Sequence, residues 1–227
     1  MKLGKRLAQI SDLVSNDYAH IWDCCCDHGL LGANLLDKDL DAKIHFVDIV
    51  PHLIDALEAK LTQFYAHKQA QWQTYCQDVA ALPLSQYSGK HLVIIAGVGG
   101  DLCSTFVQNM LRQNPNTPID FILCPVHHLY TLRQTLHSQS LTLKNELLVN
   151  ENKRSYELIH VSTDKTEGYS IHAVGERIWC YRNKQEYEIA KHYLNKTINH
   201  YLRISQGSAN VTKTLAAYQN IQLRPIK

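Results

Sequence analysis

Between residues 18 and 163, short apolar runs alternate with stretches in which apolar side chains recur every three or four positions. The runs at 19–24, 43–48, 70–76, 92–96, 121–124, 141–150 and 155–162 predict strands. The spaced stretches near 29–37, 51–67, 100–113 and 127–138 predict helices, with Pro51 suited to a first helical turn and 114–118 (NPNTP) reading as a turn. Strand and helix in alternation predict an α/β fold, a mostly parallel seven-stranded sheet with helices on both faces. The last two strands have no helix between them and predict an antiparallel hairpin at one edge. A helix precedes this pattern, with Leu7, Ile10, Leu13 and Val14 on one face and Lys2, Lys5 and Arg6 at its start. After Gly175 the pattern reads as helix only. Ala190, Leu194, Thr197, Tyr201 and Ile204 form a stripe of coiled-coil type, Gly207 breaks it, and Val211, Leu215, Tyr218 and Ile221 or Gln222 continue it. A helical hairpin over about 183–222 is expected, packed on itself or on the sheet. The division is therefore a domain at 1–175 and a helical appendage at 176–227.

Composition adds limits. With 227 residues, 45% hydrophobic and 19% charged, the chain has the make-up of a folded protein. It has no apolar run near the ~20 residues that span a bilayer, and its start shows no signal-peptide pattern. Seven cysteines, three of them consecutive and none in C-x-x-C spacing, predict reduced thiols in a cytoplasmic protein and no metal site. The net charge of +2 conceals an asymmetry: residues 1–175 hold 14 Lys/Arg against 18 Asp/Glu, whereas 176–227 hold 9 against 3. A basic appendage on a mildly acidic domain suits a polyanionic partner, although a solvated helix surface gives the same count.

The chemistry gathers at four predicted strand ends. The first strand runs into Asp23-Cys24-Cys25-Cys26-Asp27-His28-Gly29, a small-residue turn that does not fit G-x-G-x-x-G. Asp48 ends the second strand about 20 residues on, the spacing of a carboxylate that holds a ribose diol. Asp48 is expected to be an exposed strand-end acid, dispensable for stability. Asp78 ends the third strand, and Ala96-Gly97-Val98-Gly99-Gly100-Asp101 follows the fourth. Three cysteines and an acid ill suit a pyrophosphate, which wants glycine amides at a helix N-terminus. An adenosine ligand with a sulfonium and an amino-acid tail fits an acidic site, and that ligand is S-adenosylmethionine.

The order of Leu3-Gly-Lys-Arg-Leu7, Asp23-x-x-x-Asp27-His28, Asp48, Gln77-Asp78, Ala96-Gly-Val-Gly-Gly100, Pro125 and Ser155-Tyr156-Glu157 resembles the bacterial tRNA (adenine-22-N1) methyltransferases of the TrmK type, over about residues 3–163. The resemblance implies a class I methyltransferase domain followed by a coiled-coil-like helical domain, acting on N1 of an adenine in tRNA. Carried over, Asp23, Cys24, Cys26, Asp27, His28 and Gly29 would line the methionine end of the cofactor. Asp48 and Ile49 would hold the ribose, Asp78 and Val79 the adenine, and Ala96, Gly97 and Gly99 the floor. Asp27 and His28 are the candidate proton acceptors, with a helix N-cap as the other reading of Asp27. Gly100, Cys124, Pro125, His127 and Tyr156 would meet the target base, with His128 beside them. Lys191, Lys196 and Arg203 would meet the RNA backbone. Two departures stand out: Cys25-Cys26 replace the family's usual Gly-Ser, and Cys124-Pro125-Val126 replace Gln-Pro-Asn. A methyltransferase acting on another base or a small molecule, and an RNA-binding protein with a relic pocket, are the alternatives. Tail deletion and a cofactor-binding measurement separate them. A monomer is the favoured state.

Overall fold

The computed structural model describes residues 3–38, 40–166, 168–205 and 211–226. The predicted break at Gly207 lies outside the described residues, as do Lys2 and Lys227 among the counted cations. Helix α1 (Lys5–Asp12) is followed by strand β1 (His20–Cys24), α2 (Leu30–Leu36), β2 (Lys43–Asp48), α3 (Pro51–Phe64), β3 (Trp72–Cys76), β4 (His91–Ala96), α4 (Gly100–Gln113), β5 (Ile119–Cys124) and α5 (Leu129–Ser138). The hairpin β6 (Thr142–Glu151) and β7 (Arg154–Ser162) follows. The seven strands form one sheet in the order β3-β2-β1-β4-β5-β7-β6. Pairing is parallel from β3 through β5 and antiparallel at β5–β7 and β7–β6.

The central strands are apolar on both faces because helices cover both, which is why they read as continuous runs rather than alternating ones. Trp22, Val47, Val93, Ile95, Phe121 and Leu123 face one side and pack against Phe106, Val107 and Met110 of α4 and Leu132 and Leu136 of α5. Their neighbours Ile21, Ile44, Phe46, Leu92, Ile94 and Ile122 face the other, against Ile10, Leu31, Leu35, Ile54, Leu57 and Leu61 of α1, α2 and α3. The order reverses direction between β1 and β4, and at such a point the loops beyond the strand C-termini part to leave a crevice.

Two predicted boundaries shift. The helix expected to reach 67 ends at Phe64, and Ala66–Gln71 forms 3₁₀ turns anchored where Trp72 Nε1 donates to the Tyr65 carbonyl at 3.1 Å. The region after Gly175 is not helix only. A 3₁₀ turn at Arg177–Trp179 leads into β8 (Cys180–Tyr181), which precedes α6 (Lys184–Ser205), α7 (Thr212–Gln219) and β9 (Arg224–Pro225) and pairs with β9 in parallel. The cause is tertiary: the backbone amides of Glu176 and Arg177 donate to Glu146 Oε1 at 2.7 and 2.6 Å, tying this stretch to β6.

The stripe on α6 packs partly as expected. Ala190 and Leu194 are buried, and the Tyr201 ring stacks on Tyr218 of α7 with centroids 5.5 Å apart. These helices close over Tyr130 of α5, Ile178 and Trp179. Beneath them Arg133 of α5, fully buried, meets Glu146 at 2.7 Å and Glu157 at 2.6 Å, and Tyr193 of α6 donates to Glu157 at 2.8 Å. Among the described residues no helix is long and apolar enough to cross a membrane, and no cluster of three or more His, Cys, Asp or Glu is arranged to hold a metal ion. All seven cysteines are free.

Candidate active site

The C-terminal end of β1 opens on a cavity of about 270 Å³ lined by Asp23, Cys24, Cys25, Cys26, Asp27 and His28 from the first turn, Ala96, Gly97 and Val98 from the end of β4, and Arg6 and Leu7 from α1. The turn is strained. Cys25 and Asp27 adopt φ of 56° and 51°, a left-handed conformation that non-glycine residues take rarely and that tends to persist at functional sites. Gly97, at φ 92°, lets the end of β4 turn where a side chain would be strained.

Asp23 is buried and accepts a hydrogen bond from the Gly32 amide at 2.9 Å. Burial, with the neighbouring Asp48 charge adding to it, pushes its carboxyl up to about 7. A cation placed beside it would draw the proton off and hold the anion. Burial likewise raises the Cys25 thiol to about 11, so the cysteines present small neutral side chains rather than thiolates. Asp27 and His28 are exposed at the rim, 3.6 Å apart. Asp27 does not cap α2: the N-cap is Gly29, at φ 68°, with no side-chain bond, and a Cβ there would meet Leu57 at 2.5 Å. The capping interpretation of Asp27 is thereby corrected.

Asp48 is also corrected, since it is buried rather than exposed. One carboxylate oxygen accepts from the Asp27 amide at 3.0 Å and the other from the Val50 amide at 3.1 Å, so Asp48 holds two turns together and keeps lone pairs over for a diol. Ile49 beside it is exposed. Asp78 is exposed and accepts from the Ala80 amide at 2.8 Å, whereas Val79 is buried in the core.

The sequence signal missed Arg6, which reads as one more cation at a helix start. Its guanidinium lies over the Tyr156 ring, 5.2 Å from the centroid, and its Nη1 is buried at the cavity wall with no hydrogen-bond partner among the described residues. Tyr156 is therefore a seat for Arg6 rather than a free stacking face. Cys124 is fully buried near the same guanidinium, and Pro125 is buried too, so neither offers a surface to a substrate.

The loops after β4 and β5 are zipped together: the Val126 amide donates to the Val98 carbonyl and the Gly100 amide to the His127 carbonyl, both at 2.9 Å. A Cβ on Gly100 would sit 2.4 Å from the His128 carbonyl, so glycine is required there by this close approach, and one on Gly99 would push against the His127 ring at 2.3 Å. On the far side of the zipper lies a cleft of about 650 Å³ between α5 and the C-terminal helices. His127, His128 and His200 line it, with Lys196, Arg203, Lys213 and Tyr201. Lys191 lies elsewhere, with its ammonium 5.5 Å from the centroid of the Tyr187 ring.

Among proteins of curated function none matches this sequence. The chain resembles the solved structure of the B. subtilis m1A22 tRNA methyltransferase TrmK at 17% identity, covering 96% of this chain and 97% of that one with a TM-score of 0.72. It resembles M. capricolum TrmK, solved with S-adenosyl-homocysteine, at 19% identity, covering 97% and 94% with a TM-score of 0.69. Magnesium protoporphyrin IX methyltransferase from Synechocystis PCC 6803, solved with its cofactor, covers 70% of this chain and 75% of its own at 14% identity and a TM-score of 0.50. The first two likenesses extend through the C-terminal helices, and the third does not span the whole chain. A methyltransferase domain model matches residues 3–159, the whole sheet up to the middle of β7. With that match spanning the switch-point cavity and every strand end that lines it, the chain belongs to the methyltransferase-domain family.

Proposed function

We propose that the protein is an S-adenosylmethionine-dependent tRNA methyltransferase acting on N1 of adenine 22. The observation that carries this reading is a cavity holding a buried carboxyl and an unpartnered guanidinium nitrogen, set one loop away from a cation-lined cleft. The two cavity groups fit an amino-acid tail: Arg6 takes a carboxylate, and Asp23 faces the amine and sulfonium. Asp48 holds the ribose hydroxyls and Asp78 the adenine edge, with Cys24, Cys26, Ala96 and Gly97 allowing close approach.

When bound, such a cofactor supplies an electrophilic methyl group. Adenine N1 already has a lone pair, so this chain needs no base to create a nucleophile. What it must do is align donor and acceptor at ~3–3.5 Å and keep water out. The zipped loops at 97–100 and 124–128 border both the cofactor cavity and the cleft, so donor and acceptor meet at their edge. Residues 1–175 carry this chemistry, and 176–227 carry the RNA through Lys196, Arg203 and Lys213. The target adenine leaves its stack to reach the methyl group at that edge.

The experiment is transfer of labelled methyl from S-adenosylmethionine to bulk tRNA lacking the modification, followed by nucleoside analysis. Labelled 1-methyladenosine is expected. Label in another nucleoside would replace the substrate while keeping the enzyme, and absence of label with cofactor binding intact would overturn the tRNA reading.

A further inference from the structure

The loop that follows β5 poses a chemical problem. A surface that distinguishes adenine from other bases needs hydrogen-bonding groups, yet Cys124 and Pro125 are buried and Val126 is apolar. The first polar side chains along that loop are His127 and His128. The His127 ring lies against Gly99. His128 is different: its Nδ1 is hydrogen-bonded to the Asp101 carboxylate of α4, and both side chains are open to solvent, 54% and 61% exposed. An exposed pair of this kind adds little to folding. It does fix a ring. His128 also holds φ at 58°, a left-handed backbone state uncommon outside glycine, at the N-cap of α5.

Resting on the tRNA adenine reading above, we infer that His128, positioned by Asp101, recognises the 6-amino group of the target adenine. With Nδ1–H donated to the carboxylate, the ring presents Nε2 as a lone-pair acceptor toward the cleft. The 6-amino group neighbours N1 and donates N–H. As N1 takes up the methyl group, positive charge spreads over the ring and that N–H becomes a stronger donor. The bond to Nε2 is therefore stronger in the transition state than in the bound substrate, and it raises turnover more than binding. A guanine offers an oxygen at the same place, which faces the lone pair with another lone pair. The polar work missing from residues 124–126 is thus supplied from residue 128, and Lys196 and Arg203 across the cleft bring the phosphates within reach.

The test compares two tRNAs assembled by ligation, with adenosine or purine riboside (the same base without its amino group) at the methylated position. The wild-type protein is expected to favour adenosine by tenfold or more in kcat/KM. His128→Ala should slow methylation of the adenosine tRNA by tenfold or more, mainly in kcat, and leave the purine riboside rate nearly unchanged, so that the preference collapses. His128→Gln, which keeps an acceptor, should recover part of the rate, and Asp101→Ala should lose less than His128→Ala. Affinity for S-adenosylhomocysteine, measured by calorimetry, should be the same in every variant. An equal slowing of both tRNAs by His128→Ala, or no slowing, overturns the role of His128 and leaves the adenine reading standing. A wild-type protein that methylates neither tRNA overturns the adenine reading and this role with it.

Discussion

At the N-terminal ends of the strands, Asp120 of β5 accepts from Tyr18 at 2.7 Å, Ser162 at 2.5 Å and Lys144 at 2.9 Å, with Lys90 at 3.1 Å. Nearby, His45 lies flat on Trp22 with ring centroids 3.9 Å apart and is bonded to His20 at 3.0 Å, and Trp22 donates to His91 at 3.0 Å. At the C-terminal ends the same residue types are left incomplete. Asp27 and His28 stand at a rim, and among the described residues Arg6 Nη1 has no hydrogen-bond partner and the His128 ring is bonded at Nδ1 to Asp101. Where a carboxylate or imidazole has all its partners within the protein, it supports the fold. Where it keeps a free lone pair or N–H beside a cavity, it is available to a ligand.

Removing a complete set should therefore cost more stability than removing an incomplete one. Asp120→Ala strands two lysines and a tyrosine hydroxyl, and a loss of about 3–5 kcal/mol in chemical denaturation is expected. Where the variant folds, its affinity for S-adenosylhomocysteine should match the wild type, and a weakened affinity would break the division between the two ends. Asp48 stands between the categories, because it is internally bonded and is also the residue proposed to hold the ribose hydroxyls. Asp48→Ala should lose about 1–3 kcal/mol by leaving the Asp27 and Val50 amides unpaired, together with cofactor binding. Loss of binding at unchanged stability would put Asp48 wholly on the ligand side.

This explains which parts of the chain were legible in its sequence. The seven strands show because each central strand is buried on both faces and must be apolar. The site edge shows because acids at strand ends are a local pattern. Whether a given polar residue is complete is not local. His91 and His128 are indistinguishable in sequence, and only the partner 69 residues away, Trp22, or 27 residues away, Asp101, separates them. The role of Arg6 is not legible in the sequence, because the Tyr156 ring and the cavity wall lie far along the chain. The strand β8 was invisible because two residues carry no period, and the Glu146 carboxylate that fixes its approach belongs to β6.

The two ends should also oppose each other in acid. Burial lowers His45 to about 3 and His91 to about 4, below an unfolded value near ~6.5. The unfolded chain then takes up protons that the folded chain refuses, and their contribution is lost as pH falls from about 6.5 toward 4. Asp23 runs the other way: its folded value of about 7 lies above an unfolded ~3.9, so its contribution is present in acid and lost as pH rises toward 7. Two histidines outweigh one acid, so the wild type should lose stability between pH 6 and 4. Asp23→Asn should steepen that loss by up to about 1.4 kcal/mol per pH unit, and His45→Phe should flatten it by a similar amount. Denaturant midpoints across this range measure both, and parallel slopes in all three proteins would remove the distinction.

The smallest effect is the sharpest comparison, because it sets two adjacent cysteines against each other. Cys24 sits inside β1, fully buried, with ordinary strand geometry, whereas Cys25 one residue on lies in the strained turn at φ 56°. Cys24→Gly removes packed atoms and loosens a strand, and should cost about 2–3 kcal/mol. Cys25→Gly relieves a left-handed backbone worth roughly 1–2 kcal/mol and gives back about 0.5–1 kcal/mol in chain entropy. Its thiol also touches the core, so the net gain should be no more than about 0.5 kcal/mol. Affinity for S-adenosylhomocysteine should hold in Cys25→Gly, since the cavity only widens by one thiol. A loss of stability at Cys25 comparable to that at Cys24 would mean that the first turn is packed like the core behind it, and that strain does not mark the boundary between scaffold and site.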